Sequence, residues 1–367
     1  MYYYYLIYMR IFITLFLTLA TIYGYAQNEQ KEVKKEKTHA VPDSNFIVSY
    51  PQYLSIGIYN ASPLMQIVVK PTDKAYDKYK SDFRGNFSDL FGFTLAFKSV
   101  YIHYGFKTPF GPSADSRKGK SSSTGITLRI RKPRITLAAE YIRYNGYYDN
   151  NASSYVPVDT GNYYVRPDIH YKNIGVNGIY NFSWKRFSYN APLTYNERQL
   201  KTRIGFLIKG GANYTTIYST DSTILSNLQT DNFTSFSNIN SIHALLFKAG
   251  PGVGLNLVVF KRFYFSFNYF VMGNFIEYQY GTESERNSRW KGNANVYTET
   301  TTAFGYNSKR LFAGINFNGD INIMKVEGAS IETNFASVSL NFGYRFNAPK
   351  FLDKDWIKAS DDIKRIE

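Results

Sequence analysis

Residues 241–280 read SIHALLFKAGPGVGLNLVVF, then KR, then FYFSFNYFVMGNFIEYQY. In the first arm Leu245, Phe247, Ala249, Val253, Leu255, Leu257 and Val259 share one parity, and Lys248, Gly250, Gly252, Gly254 and Asn256 share the other. In the second arm Phe263, Phe265, Phe267, Tyr269, Val271 and Phe275 alternate with Ser266, Asn268 and Asn274. Period two is the strand signature. Each arm is longer than a usual soluble strand and sets an aromatic-rich face against a face of Gly, Asn, Ser and Lys. A soluble sheet hides its oily face under another layer, but the pattern recurs along the chain and no long amphipathic helix is left to cover it. The reading is an all-β, transmembrane, antiparallel up-and-down β-barrel, its oily side to lipid and its polar side to the lumen.

Composition agrees. The 367 residues hold 34 Tyr and 29 Phe and no Cys, an unusual set for a soluble enzyme. Mean hydropathy is −0.33, as expected when half of the strand residues face a polar lumen. Without cysteine there are no disulfides, thiolate metal sites, cysteine nucleophiles or lipid-modified cysteine anchor.

Arg10, the apolar run 11–20 and Gly24-Tyr25-Ala26 form a secretion signal, with cleavage expected before Gln27. The MYYYYLIY prefix leaves Met9 as an alternative start. Residues 27–50, with the mixed-charge run NEQKEVKKEKT at 28–38, read as a flexible periplasmic tether. The net charge of +15 is assigned to solvated turns and tails, because nucleic acid is a poor partner for an exported chain.

Roughly twelve strands are expected, an even number as single-chain bacterial barrels have. They lie near 52–60, 89–97, 100–107, 122–130, 135–144, 170–182, 201–218, 242–259, 263–280, 297–306, 311–324 and 335–346. Short basic connections, such as Lys98-Ser99, Lys261-Arg262 and Ser308-Lys309-Arg310, alternate with long polar ones at 61–88, 108–121, 145–169, 219–241, 281–296 and 325–334. Outer-membrane barrels have short periplasmic turns and long external loops, so the basic turns are expected in the periplasm. Parity sends Ile126, Leu128, Ile204, Phe206 and Phe317 outward. It sends His103, Arg129, Glu140, Arg203, Lys209, Lys248, Asn268, Asp320 and Arg345 to the lumen. Pairing Val259 with Phe263 sets Gly252 opposite Phe270 and Gly254 opposite Asn268, which argues for a partly filled lumen. The barrel proper is placed at 51–346, and the last strand resembles the closing strand that outer-membrane barrels present to their assembly machinery. Residues 347–367 follow as a periplasmic tail with helical spacing of Leu352, Trp356, Ala359 and Ile363.

Arg166-Pro-Asp168, Phe187-Ser-Tyr189 and Glu197-Arg-Gln199 carry a more specific signal. With the segment 173–214 around them, they resemble an uncharacterised outer-membrane barrel family of Bacteroidota-type bacteria, domain-of-unknown-function family 4421. The resemblance implies a barrel over nearly all of the mature chain and attaches no reaction to it. Thr194-Tyr-Asn-Glu197 fits a capping box, so Tyr195 to Leu200 is expected to form a helical turn. Tyr195, Glu197 and Arg198 are the residues of the periplasmic mouth. The connection is read either as a structured turn or as a segment folded into that mouth to narrow it.

Catalytic patterns are scarce. Gly250-x-Gly252-x-Gly254 lies inside a strand with no helix after it, so it is structural and not a phosphate loop. Ser241 with His243 at the rim lacks an acid or amide partner, and His103 with Glu140 fits a stabilising lumen pair better than an acid/base pair. No metal site and no cofactor are expected. The expectation is a non-enzymatic outer-membrane protein, a narrow small-solute channel or a structural barrel, whose partners are membrane lipids and the assembly machinery. A lipid- or lipopolysaccharide-modifying enzyme and a surface-binding protein acting through its loops are the alternatives.

Overall fold

The computed structural model describes residues 41–349 and 352, apart from 88, 108–114, 157–162, 222, 234 and 286. The expected signal peptide, the tether as far as residue 40 and the tail from 353 onward lie outside the described residues.

The described elements are β1 (Ile47–Ser49), β2 (Tyr53–Pro71), β3 (Ser81–Arg84), β4 (Leu90–Phe97), β5 (Val100–Lys107), β6 (Ser122–Arg131), β7 (Ile135–Asp149) and β8 (Tyr164–Asn181). There follow α1 (Ala191–Thr194), β9 (Glu197–Gln199), β10 (Arg203–Ser219), β11 (Ile239–Val259), β12 (Phe263–Thr282), β13 (Lys291–Asn307), β14 (Leu311–Val326) and β15 (Ala329–Asn347). The main sheet has 13 strands; setting aside the short insert β3 leaves a closed antiparallel ring of 12. The ring closes where β15 pairs with β2 from Ala329↔Pro71 to Asn347↔Tyr53. Closure removes the free edges that an open sheet would expose.

The wall inverts the pattern of a soluble protein. Phe206, Phe247, Val253 and Leu257 are exposed, while Asn256, Ser266, Asn268 and Arg345 are buried. That is the alternation expected of a barrel in lipid. Val259 pairs with Phe263, Gly252 with Phe270 and Gly254 with Asn268, the register deduced from the sequence.

All twelve expected strands are present, but several are longer than expected. β2 runs through 61–71, β8 starts at Tyr164 and β13 at Lys291. The 325–334 connection is a tight turn, with Val326 paired to Ala329 and left-handed backbone at Glu327 and Gly328. Two residues of that conformation match the twist of a hairpin. In β2 and β8 strand prolines hid the extension. Proline donates nothing to a ladder and is confined to its gaps. Pro63 pairs with Ser337 on one side and falls between the β4 and β3 pairings on the other. Pro167 lies at the bulge between the Tyr147 and Asn145 registers.

β3 also has a local cause. β4 and β5 have 8 residues each, against 19 in β2 and 15 in β7. Above the short strands β3 bridges the gap, pairing Val69–Gln66 of β2 and Tyr148–Asp149 of β7. Residues 41–50 are not a free tether either. β1 pairs with β9, and Tyr50 and Asp43 donate backbone hydrogen bonds to Asn196 and Lys185.

Candidate functional site

At each end of the lumen a segment of the chain folds inward against the wall, and a polar chamber lies between the two. At the short-turn end the plug is the segment between β8 and β10, residues 182–202. Phe187 lies over Gly205 and Gly254, where a Cβ would come within 2.2 and 2.4 Å of its ring. Those two positions must be glycine for the ring to enter. Tyr195 stacks on Phe312 at 4.4 Å and accepts a hydrogen bond from Tyr264. Burial pushes the Tyr195 phenol up to about 12.

Wall side chains hold the plug by its backbone. Asn181 donates to Phe187 O at 2.8 Å, Asn256 to Ser188 O at 2.8 Å and Asn307 to Glu197 O at 3.1 Å. Arg345, 0% exposed, donates to Tyr195 O, to Ser308 O and to Asn307 Oδ1. Arg131 pairs with Glu197 at 3.2 Å and donates to Lys98 O. Each anchor satisfies a carbonyl or carboxylate that would be costly to bury alone.

The expected helical turn at Tyr195–Leu200 is absent. The single helical turn, α1, comes before it, with Pro192 in its first turn, and Tyr195 ends it in the left-handed conformation. Thr194 donates back to Asn190 O instead of capping forward, and Glu197–Gln199 is drawn into pairing with β1.

At the long-loop end the connection between β10 and β11 folds inward as a cap. Ile224, Leu225, Phe233 and Phe236 are buried against Met65, Ile67, Phe83, Ile169, Ile242 and Ile276 of the wall. Arg166 latches it. Its guanidinium donates to Thr223 O at 2.6 Å and Ile224 O at 2.8 Å, and pairs with Asp168 at 2.7 Å with both side chains buried. Asp168 also accepts from Ser219 at 2.6 Å. The three motifs singled out in the sequence therefore all belong to closures: Arg166-Pro-Asp168 to the cap, and Phe187-Ser-Tyr189 and Glu197-Arg-Gln199 to the plug.

Between the closures is a cavity of about 350 Å³. His103, Arg129, Glu140, Lys209, Lys248 and Asp320, all expected in the lumen, line it. Lys209 makes a two-oxygen ion pair with Glu299 at 2.5 and 2.6 Å. Glu299 was not foreseen, although it shares the inward parity of Tyr297 and Thr301. Lys248 lies over the Tyr297 ring at 4.3 Å, and Asn173, Asn177 and Asn213 approach Glu140 at 3.4 to 3.5 Å. Asn268 is buried beside the plug, its amide toward Ser266. Arg203 departs from expectation. It keeps the inward parity but stands at the rim, exposed, 4.4 Å from the Phe46 ring, because its strand begins there. Arg198 is paired with Val48 across β9 and β1.

The sequence-level catalytic pairs are not assembled. His243 meets Tyr214 Oη at 2.9 Å while Ser241 donates to Asn240. His103 packs on Tyr59 at 4.0 Å and meets Tyr101 Oη, whereas Glu140 faces amides. Among the described residues no group of three or more His, Asp and Glu side chains has metal-binding geometry.

The family model described as "Domain of unknown function (DUF4421)" matches residues 41–346, and the chain belongs to that family. No curated protein matches it in sequence. Similar solved structures include the outer membrane protease OmpT of Escherichia coli, 10% identical over 82% of this chain and 98% of that one, TM-score 0.36. The P. putida toluene transporter TodX is 8% identical over 81% and 91%, TM-score 0.25. Neisserial surface protein A is 10% identical over 78% and 95%, TM-score 0.22.

Proposed function

We propose that this family member is a non-enzymatic integral outer-membrane barrel whose lumen its own chain closes at both ends. The observation that carries the reading is the pair of inward-folded segments, a plug hung from wall side chains and a cap latched by Arg166, around a polar interior. The short basic turns, with the plug, face the periplasm and the cap faces outward. Delivery by a cleaved signal peptide and recognition of β15 by the assembly machinery belong to the same reading. A protease site inserted at 227–232 is then cut on intact cells and one at Lys261-Arg262 is not; cutting at the Lys-Arg turn inverts the topology.

For the enzymatic alternative the sequence offers one nucleophile–base pair and one acid–base pair, and in both the members are engaged elsewhere. The purified barrel incubated with phospholipid and lipopolysaccharide should yield no cleavage product. Turnover that disappears in His103→Gln or His243→Gln would overturn this part of the reading. The charged chamber favours a second reading, a small-solute channel that opens when one closure moves. In liposome swelling that channel would admit small sugars, and the closed barrel would not.

A further inference from the structure

The lipid-facing wall carries a recess whose shape and surroundings select a ligand. The register sets Phe263, Tyr306, Ala313, Phe342 and Ile58 side by side across five strands. Two residues along each strand the next outward row runs Phe265, Phe304, Ile315, Leu340 and Asn60. Ala313 is the one small side chain of the first row, and around it opens an apolar recess of about 660 Å³ walled by Phe263, Phe304, Ile315, Leu340 and Phe342. It lies next to two basic turns. Lys261 and Lys309 at these turns are exposed and make no ion pair among the described residues, whereas Arg310 is committed to Arg345 O and Asn347. The turns are two strand spacings apart, about 10 Å, and Ala313 stands about 7 Å up its strand from Leu311.

We propose that the recess seats an acyl chain of an anionic glycerophospholipid whose phosphate is held between Lys261 and Lys309. Charge selects this occupant over a second copy of the chain. A two-fold axis through the recess along the membrane normal would bring the same lysine turns together, and like charges repel. A phosphate complements both lysines while its chain fills the hollow beneath. The proposal depends on the outer wall facing lipid and goes beyond the closed-barrel reading.

The test loads the purified full-length barrel with phosphatidylglycerol or with phosphatidylcholine of matched chains and counts retained lipid by native mass spectrometry. Heat-modifiable gel mobility reports separately that the barrel is folded. Wild type should keep one phosphatidylglycerol under conditions that strip phosphatidylcholine. Ala313→Phe should lose it with mobility unchanged. Lys261→Gln and Lys309→Gln should each weaken phosphatidylglycerol about fivefold at ordinary salt and leave phosphatidylcholine unaffected. These lysines are exposed, so the lysine pair decides the matter if Ala313→Phe fails to fold. Equal retention of the two lipids, retention indifferent to both kinds of variant, or an Ala313-dependent dimer without lipid would overturn the proposal.

Discussion

At the short-turn end the closing segment is held by polar side chains of the wall aimed at its backbone: Asn181, Asn256, Asn307 and Arg345 each meet a carbonyl of residues 187–197. At the long-loop end the cap has fewer such anchors, chiefly Arg166 to Thr223 O and Ile224 O and the buried Gln229 to Tyr79 O, and it adds apolar burial of Ile224, Leu225, Phe233 and Phe236. Directional bonds fix one position and orientation, because a shifted carbonyl leaves a buried donor unmatched. Apolar contact tolerates rearrangement as long as volume and burial are kept. The plug, with more directional anchors, is therefore expected to be the more fixed of the two segments and the cap the more readily displaced. The strongest test of this contrast is Arg345→Met, which strands Tyr195 O and Asn307 Oδ1 in a buried site. With buried acceptors left unmatched at about 1 to 3 kcal/mol each, it should cost about 3 to 5 kcal/mol in urea unfolding. A loss well under 1 kcal/mol would mean that the anchors are incidental.

Arg166→Met sharpens the contrast from the other side. It leaves Asp168 buried without its cation and should cost about 3 kcal/mol, with protease cutting at 227–232 rising while the plug stays protected. Equal exposure of both closures would break the distinction. Gly252→Phe should cost roughly 1 to 3 kcal/mol by overpacking, since even a Cβ there comes within 2.2 Å of the Phe270 ring. Its control is Gly125→Ala in β6, where an added Cβ meets nothing closer than 3.8 Å. That change should stay within about 0.5 kcal/mol in the same unfolding assay. A Gly125 effect as large as that of Gly252 would show that the lumen is filled uniformly.

The wall was legible because lipid on one side and a polar lumen on the other impose period two on every strand; Lys209, Lys248, Glu140 and Asp320, which parity sends inward, line the cavity. The same parity would have found Glu299, which stands two residues from Tyr297 on the lumen side. The closures were less legible. Ile224, Leu225, Phe233 and Phe236 in a loop expected to be solvated were the available sign of a cap, since a solvated loop has no use for a cluster of large apolar side chains. The plug gave no periodic signal of its own, and its anchors Asn181, Asn256 and Asn307 lie in wall strands, where they read as ordinary polar positions. Its capping box was outcompeted by pairing between β1 and β9, a contact between residues some 150 positions apart that local pattern does not reveal.

Planar-bilayer recording tests the double closure most directly. The wild-type barrel should insert and stay silent, and a variant with both 184–199 and 224–236 replaced by Gly/Ser segments should conduct steadily. Steady conductance by the wild-type protein, unchanged by those replacements, would contradict the account.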